Sequence, residues 1–206
     1  MSTFTPPAPP AFSTSSGAEK AARILTDVLA PANLVTALLL LIGWHSTHSW
    51  TGLGWGLLAA LFCGVSPISL ILLGVRRGAL TDRHIRLRRQ RLVPMTASLL
   101  SVVTGLTLLH AAGAPPDVFA LIVAMLVGLV SSMAVTVRWQ ISIHNSVAGV
   151  SAMILMLALG PAMAISLAGA AAIGWSRLVL KAHTLPQVLA GIALGGIAAL
   201  AFTLLR

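Results

Sequence analysis

One stretch near the carboxyl end carries the residue types that phosphoryl chemistry needs. Ser176 and Arg177 are followed after five residues by His183, and then by Gln187. Arginine has a permanent, planar charge that can bind two phosphate oxygens at once. The unperturbed pKa of histidine lies near neutrality, so its ring can act as nucleophile, base or acid. The spacing therefore places a phosphate-binding cation close to a candidate nucleophile.

The composition of the chain determines where such a site would lie. Of 206 residues, 57% are hydrophobic and only 8% are charged, and the mean hydropathy is +0.97. These values are far from those of a soluble domain. Several stretches approach the roughly 20 apolar residues that cross a hydrocarbon core. We therefore predict an all-α, polytopic transmembrane helical bundle with about six to seven spans.

Hydropathy places the individual spans and divides the chain into three parts. The seven candidates lie at about 32–49, 54–75, 94–112, 117–137, 146–160, 161–175 and 186–205. Gly160 and Pro161 alone separate the fifth from the sixth, so six spans are the alternative. Residues 1–17, rich in Pro, Ser and Thr, are predicted to be a disordered tail, and 18–30 an interfacial amphipathic helix. Residues 31–206 then form the transmembrane domain.

This topology brings three polar segments to one membrane face. Residues 76–91 follow the second span, 138–144 the fourth and 176–187 the sixth. Each pair of crossings returns the chain to the same surface. Segments that are distant in sequence are therefore expected to build a single site.

The three segments resemble the signatures of the type 2 phosphatidic acid phosphatase and vanadium-haloperoxidase superfamily, over about residues 82–191. The third signature is matched by Ser176, Arg177 and His183, with Gln187 where the family usually has Asp. In the second, Ser142 and His144 remain while Ile141 and Ile143 replace Pro and Gly. In the first, His84 stands for Lys, Arg91 has the family spacing, and Leu92 replaces Pro.

The resemblance implies a role for each matched residue. His183 would attack phosphorus to form a phosphohistidine, and His144 would protonate the leaving oxygen. A metal-free catalyst also needs cations and hydrogen-bond donors around the phosphate, and the candidates are Arg177, Arg91, His84, Ser142, Ser176 and Arg138. Arg138, beside Trp139 at a helix end, is explained equally well by snorkelling to the interface. Our hypothesis is that Gln187 orients the ring of His183.

The function expected from this resemblance is hydrolysis of a lipid phosphate, with polyprenyl diphosphate favoured over phosphatidate and no metal or other cofactor. The alternative is a catalytically weakened relative that binds phospholipid headgroups as a structural or partner-binding membrane protein. A third possibility, release of intact diphosphate by ionisation, is disfavoured because the four acidic residues are scattered and offer no carboxylate cluster for magnesium.

Charge indicates the partners and the orientation. The formal net charge of +9 lies beside membrane spans, so anionic lipids rather than nucleic acid are the expected partners. All lysines and arginines except Arg206 fall on the face with the three segments, which the positive-inside rule places in the cytoplasm. Gly191 and Gly195 form a small-residue pair that favours close packing inside the bundle, and dimerisation is the alternative.

Overall fold

The computed structural model describes residues 6–7 and 11–206, and every regular element in these residues is helical. The predicted all-α bundle is confirmed. The α-helices are α1 (Gly17–Val28), α2 (Pro31–Thr47), α3 (Trp50–Ala60), α4 (Ser66–Arg76), α5 (Leu92–Ala111), α6 (Pro116–Arg138), α7 (Ile143–Leu159), α8 (Ser166–Val179), α9 (Leu185–Ala198) and α10 (Leu200–Leu205). Much of the predicted tail, residues 1–5 and 8–10, lies outside the described residues, and Phe12–Thr14 form a 3-10 turn.

The helices that can cross a membrane are fewer than the seven predicted spans. Five segments are long and apolar enough, namely Trp50–Arg76, Arg88–Ala111, Pro116–Arg138, Pro161–Val179 and Leu185–Leu205. The pair α1 and α2, bent by 45°, adds a sixth if it is one span. The spans predicted at 32–49 and 146–160 coincide with α2 and α7, but each helix has only 17 residues. Such a helix is roughly 26 Å long, which is less than the thickness of a hydrocarbon core.

Two proline-linked features set the shape of the long spans. The π-helical turn Leu61–Val65 joins α3 to α4, and Pro67 follows it in the first turn of α4. Proline lacks the N–H that would pair with the carbonyl of Cys63, so the hydrogen-bond ladder shifts at this point.

The predicted break at Gly160 and Pro161 is confirmed: Gly160 ends α7 with φ 97°, and a 3-10 turn then leads into α8.

Glycines let α7 and α9 pack with their backbones in contact. A Cβ atom at Gly191 would lie 2.6 Å from the carbonyl oxygen of Ser142, and one at Gly149 would lie 2.5 Å from that of Ile192. Any larger residue would push the helices apart. The small-residue pair at Gly191 and Gly195 therefore serves packing inside the bundle. It also fixes the start of α7 against the start of α9, where candidate site residues lie.

Helix α1 packs against the bundle through its small residues. Ser16 and Glu19 form a capping box at its start, and Ala22 and Thr26 are buried while Ile24 is 57% exposed. The hydroxyl groups of Thr26 and Ser176 are 3.0 Å apart, which ties α1 to α8. Of the predicted apolar face, Ile24 and Val28 thus point away from the protein, as a lipid-facing surface would, whereas Leu29 packs against the bundle.

Candidate phosphate-binding and active site

His183 and Gln187 form a hydrogen-bonded pair at the start of α9. His183 Nδ1 lies 3.0 Å from Gln187 Oε1, and the same oxygen accepts the Thr184 backbone N–H at 3.1 Å. Because this oxygen is an acceptor only, Nδ1 carries the proton and Nε2 keeps its lone pair. Burial lowers the pKa of His183 to about 3, and Arg91 and Arg177 act in the same direction. The ring is therefore neutral, and its Nε2 carries the lone pair that a nucleophilic ring would use.

Arg91 is buried, and its guanidinium group is engaged on every side. Its Nε donates to the carbonyl of Ile85 at 2.9 Å and its Nη1 to the carbonyl of Ile141 at 2.8 Å. Its Nη2 lies 3.5 Å from His183 Nε2. This side chain joins the loop after α4, the linker before α7 and the turn before α9. The three polar segments therefore meet as the topology predicted.

Arg177 is also buried, at 1% exposure, but it is not satisfied. Its Nε and Nη1 have no hydrogen-bond partner within the described residues. No aspartate or glutamate is among the buried residues of the described chain. An unpaired charge removed from water costs several kcal/mol, by an order-of-magnitude estimate. This arrangement fits an anionic ligand that supplies the missing acceptors.

His183, Arg91 and Arg177 form a polar cluster, and His144 and His84 lie side by side at its edge. Their ring centroids are 5.2 Å apart, and the buried His144 Nε2 has no partner in the described residues. His84 Nε2 lies 3.1 Å from Asp27 Oδ1, which also pairs with Arg83. Burial and the charge of Arg177 lower the pKa of His84, although Asp27 opposes this shift.

The two serines of the predicted set are used within the fold. Ser142 Oγ donates to Asn145 Oδ1 at 2.8 Å, and its backbone N–H donates to the carbonyl of Gln187 at 3.3 Å. Ser176 Oγ donates to the carbonyl of Ile173 at 2.7 Å, so it accepts from Thr26. Both hydroxyls hold helices in place, and neither is free to bind phosphate without rearranging.

Arg138 does not join this cluster. It lies exposed in the last turn of α6 and lines neither cavity found in the described residues. Arg88, which the sequence did not single out, donates instead to the carbonyls of Thr136 and Val137 at the end of that helix. Snorkelling at the interface is therefore the better explanation of Arg138.

Two residues that sequence reasoning missed also contribute. Asn145 is fully buried and accepts the hydroxyl of Ser142. Asp27 bridges α1 to the loop that carries Arg83 and His84. The sequence could have pointed to Asp27, because it is one of only four acidic residues in the chain and lies next to the first apolar stretch.

Two cavities flank the cluster and share Asp27, Arg83 and His84. The first, of about 360 Å³, is largely apolar and lies among α2, α4, α5, α6 and α7, with Arg91 and His144 at its polar end. The second, of about 500 Å³, lies between α1 and the loop after α4, and most of its lining residues are polar or charged, among them Arg177, Asp27 and Asp82. His183 lines neither cavity, and the Nη2 of Arg91 lies 3.5 Å from its Nε2.

Comparison with known proteins adds no assignment. No family model, no curated protein and no solved structure matches this chain. No group of three metal-ligating side chains occurs in the described residues. The described residues thus bring together two buried arginines, one of them with unpaired donors, a neutral His183 and a second histidine, His144, whose Nε2 has no partner.

Proposed function

We propose that this protein is an integral membrane lipid phosphatase that works without a metal, through a phosphohistidine. One observation carries the proposal: within the described residues, the buried guanidinium of Arg177 has two unpaired nitrogens and no buried carboxylate beside it. A phosphate group is one of the anions whose geometry and charge match a guanidinium, because it can accept two hydrogen bonds from it at once. The neutral His183 is held nearby with its lone pair directed at Arg91.

The proposed reaction has two steps. The lone pair of His183 Nε2 attacks phosphorus, and the bond between phosphorus and the leaving oxygen breaks. His144, which enters this step protonated on both ring nitrogens after taking a proton from the bound phosphate, gives one of these protons to that oxygen. Water then attacks the phosphohistidine, the phosphorus–nitrogen bond breaks, and His144 takes the proton from water. Arg177 binds the equatorial oxygens, where the negative charge is spread during transfer. Arg91 exchanges its contact with Nε2 for one with the phosphate.

The substrate we favour is a polyprenyl diphosphate, ahead of phosphatidate. An apolar cavity meets the polar cluster at His84, Arg91 and His144. An amphiphile with a hydrocarbon chain and a phosphate head would match both parts. With a diphosphate, attack on the terminal phosphorus releases the lipid monophosphate.

One observation favours the alternative, a headgroup-binding protein without turnover. Gln187 Oε1 accepts the backbone N–H of Thr184 as well as the ring of His183. The residue is thus explained as a helix cap, and it supplies no formal charge to a developing imidazolium. In this alternative Arg177 still binds the phosphate.

The deciding experiment measures phosphate and diphosphate release by purified protein in the presence of a chelator. The substrates are farnesyl diphosphate, undecaprenyl diphosphate and phosphatidate, and the variants are His183→Ala and Gln187→Ala. His110→Ala is the matched control, because His110 lies at the opposite ends of the helices, in the last turn of α5. We expect phosphate release to be lost in His183→Ala, reduced in Gln187→Ala and kept in His110→Ala. No release by the wild type would favour the headgroup-binding alternative.

We further propose that the site faces the cytoplasm, because all lysines and arginines except Arg206 lie on its side. Thr47 is exposed at the opposite end of α2. Thr47→Cys, with Cys63 replaced by Ala, should react with a membrane-impermeant thiol reagent only from outside the cell. Labelling only from the cytoplasmic side would reverse this orientation.

A further inference from the structure

The apolar cavity extends deep into the bundle from the candidate phosphate site. Along α5, its wall runs from Arg91 to Val102, which is roughly 16 Å at the rise of a helix. On α6 the lining residues run from Ser132 through Gly128 to Met125, which is roughly 10 Å along the helix. On both helices the wall therefore runs from the polar end toward the middle of the bundle.

The wall is one face of α5 and is distinct from its lipid-facing side. Met95, Ser98 and Val102 line the cavity and follow the three-and-four spacing of one helix face. Val93 and Leu100, on other faces, are 79% and 65% exposed. The cavity therefore lies between the helices and not on this lipid-facing side of α5, and it opens to the outside near Leu72, a lining residue that is 40% exposed.

We propose that this cavity is a slot for one hydrocarbon chain of the substrate, which holds roughly the first dozen carbons at a bond length of about 1.5 Å along a zigzag. This inference rests on the proposed function, since the phosphate at the polar end fixes where the chain begins. A volume of about 360 Å³ lies near the lower end of small-ligand pockets, roughly 300–1,000 Å³. It suits one chain, as in a prenyl phosphate, and not the two chains of a glycerolipid.

The polar end supports a phosphate-bearing occupant. Arg91, His84 and His144 line that end, so a neutral lipid would leave their polar groups facing a hydrocarbon. Transfer of a chain from bilayer to cavity gains little hydrophobic free energy, because both surroundings are apolar. Selection therefore depends on the fixed distance between the anion site and the deep wall at Val102 and Gly128. Chains longer than the slot extend beyond it without added specificity.

The test uses alkyl phosphonates with one photoreactive diazirine, on the third or the eleventh carbon, added to the full-length protein in phosphatidylcholine nanodiscs. Their phosphorus–carbon bond cannot be hydrolysed by the proposed reaction. After irradiation, labelled residues are identified by peptide mass spectrometry. We expect the third-carbon probe to label Met95 and the eleventh-carbon probe to label Val102 and the segment around Gly128, both competed by excess dodecyl phosphonate.

A pair of variants tests the depth directly. A Cβ at Gly128 meets only a Cβ of Ala198 at 3.5 Å, and one at Gly54 meets nothing within 4 Å, so both glycines accept a side chain. Gly128→Leu fills the deep end and should reduce eleventh-carbon labelling several-fold while leaving third-carbon labelling intact. Gly54→Leu, away from the cavity, should change neither.

The outcomes separate this inference from the proposed function. Labelling of Val93 and Leu100 by both probes, or labelling unaffected by Gly128→Leu, would overturn the slot, even if phosphate release is observed. Depth-dependent labelling without phosphate release would keep the slot and overturn the phosphatase. Phosphonate binding is measured without turnover. A failure of the slot and a failure of the phosphatase activity can therefore be told apart.

Discussion

Arg91 and Arg177 are both buried arginines of the same cluster, yet their surroundings differ. Arg91 donates to two backbone carbonyls and reaches the ring of His183. Arg177 leaves its Nε and Nη1 unpaired within the described residues. The first side chain assembles the site, and the second has the donors that a ligand would use. Burial of a charge alone therefore does not identify a binding residue, whereas burial without partners does.

The largest expected effect comes from Arg177→Met. Because a donor to the transferring phosphate is lost, the rate of phosphate release should fall by about 10²–10³-fold or more. The melting temperature should hold or rise, since a buried charge with two unpaired donors is removed. Arg138→Met, the same change at an exposed arginine, is the control and should alter neither quantity. A large drop in melting temperature for Arg177→Met would show that its role is structural.

Arg91→Met should act in the opposite way, mainly on stability. The carbonyls of Ile85 and Ile141 would lose their donor in a buried place, at a cost of about 1–3 kcal/mol each. We expect the free energy of unfolding to fall by about 3 kcal/mol, measured as a clear drop in melting temperature in the same detergent. If Arg91→Met melts at the same temperature as the wild type, the proposal that Arg91 assembles the site while Arg177 binds the ligand is wrong.

The pH dependence of stability sharpens the comparison, because His183 lies between both arginines. Folded His183 stays neutral down to a pKa of about 3, while its ordinary pKa is 6.5. Below pH 6.5 the unfolded chain takes up a proton that the folded protein does not, so stability falls as pH falls. From pH 6.5 to 5 the loss is about 2 kcal/mol for this residue, and His84 acts in the same direction.

The measurement is the melting temperature between pH 8 and 5, for the wild type and for His183→Gln. The variant should show a flatter curve. Equal slopes of melting temperature against pH for the two proteins would mean that His183 titrates alike in the folded and unfolded states. Added phosphate should also flatten the wild-type curve, because an anion near the arginines favours the protonated ring.

A smaller effect is expected for Gln187→Glu. The carboxylate can keep the bonds to His183 and to the N–H of Thr184, and it adds a negative charge that stabilises an imidazolium. We expect the turnover rate to rise about tenfold, with the pKa of His183 raised. The check is a pH–rate profile, with Gln187→Ala for comparison. A rate below that of the wild type would indicate that the amide itself is required.

The smallest effect is expected for Asp27→Asn. The ion pair with Arg83 is about half exposed on both sides, and such surface pairs contribute at most about 1 kcal/mol. Melting temperature should change by a degree or two, and the salt dependence of stability should weaken. A loss as large as that of Arg91→Met would place Asp27 among the residues that assemble the site.

The sequence predicted the helices well and the contacts poorly. Hydropathy located every apolar helix, because the backbone inside a bilayer must satisfy its own hydrogen bonds. The topology also brought Arg91, Ser142 and His183 to one place. It did not distinguish Arg91 from Arg177, since the partners of Arg91 are backbone carbonyls with no sequence signal. It included Arg138, whose side chain is exposed, and it overlooked Asp27 and Asn145.

The three contacts of Arg91 also bear on how the protein matures during synthesis. Its partners lie 6, 50 and 92 residues away along the chain. The last of them, His183, is synthesised just before α9, which must enter the membrane and pack against α7. A nascent chain that has inserted everything through α7 would still lack the completed cluster. We expect the capacity to bind phosphate to arise in a single late step, when the final crossing is made. Chains that end before α9 should therefore not bind phosphate.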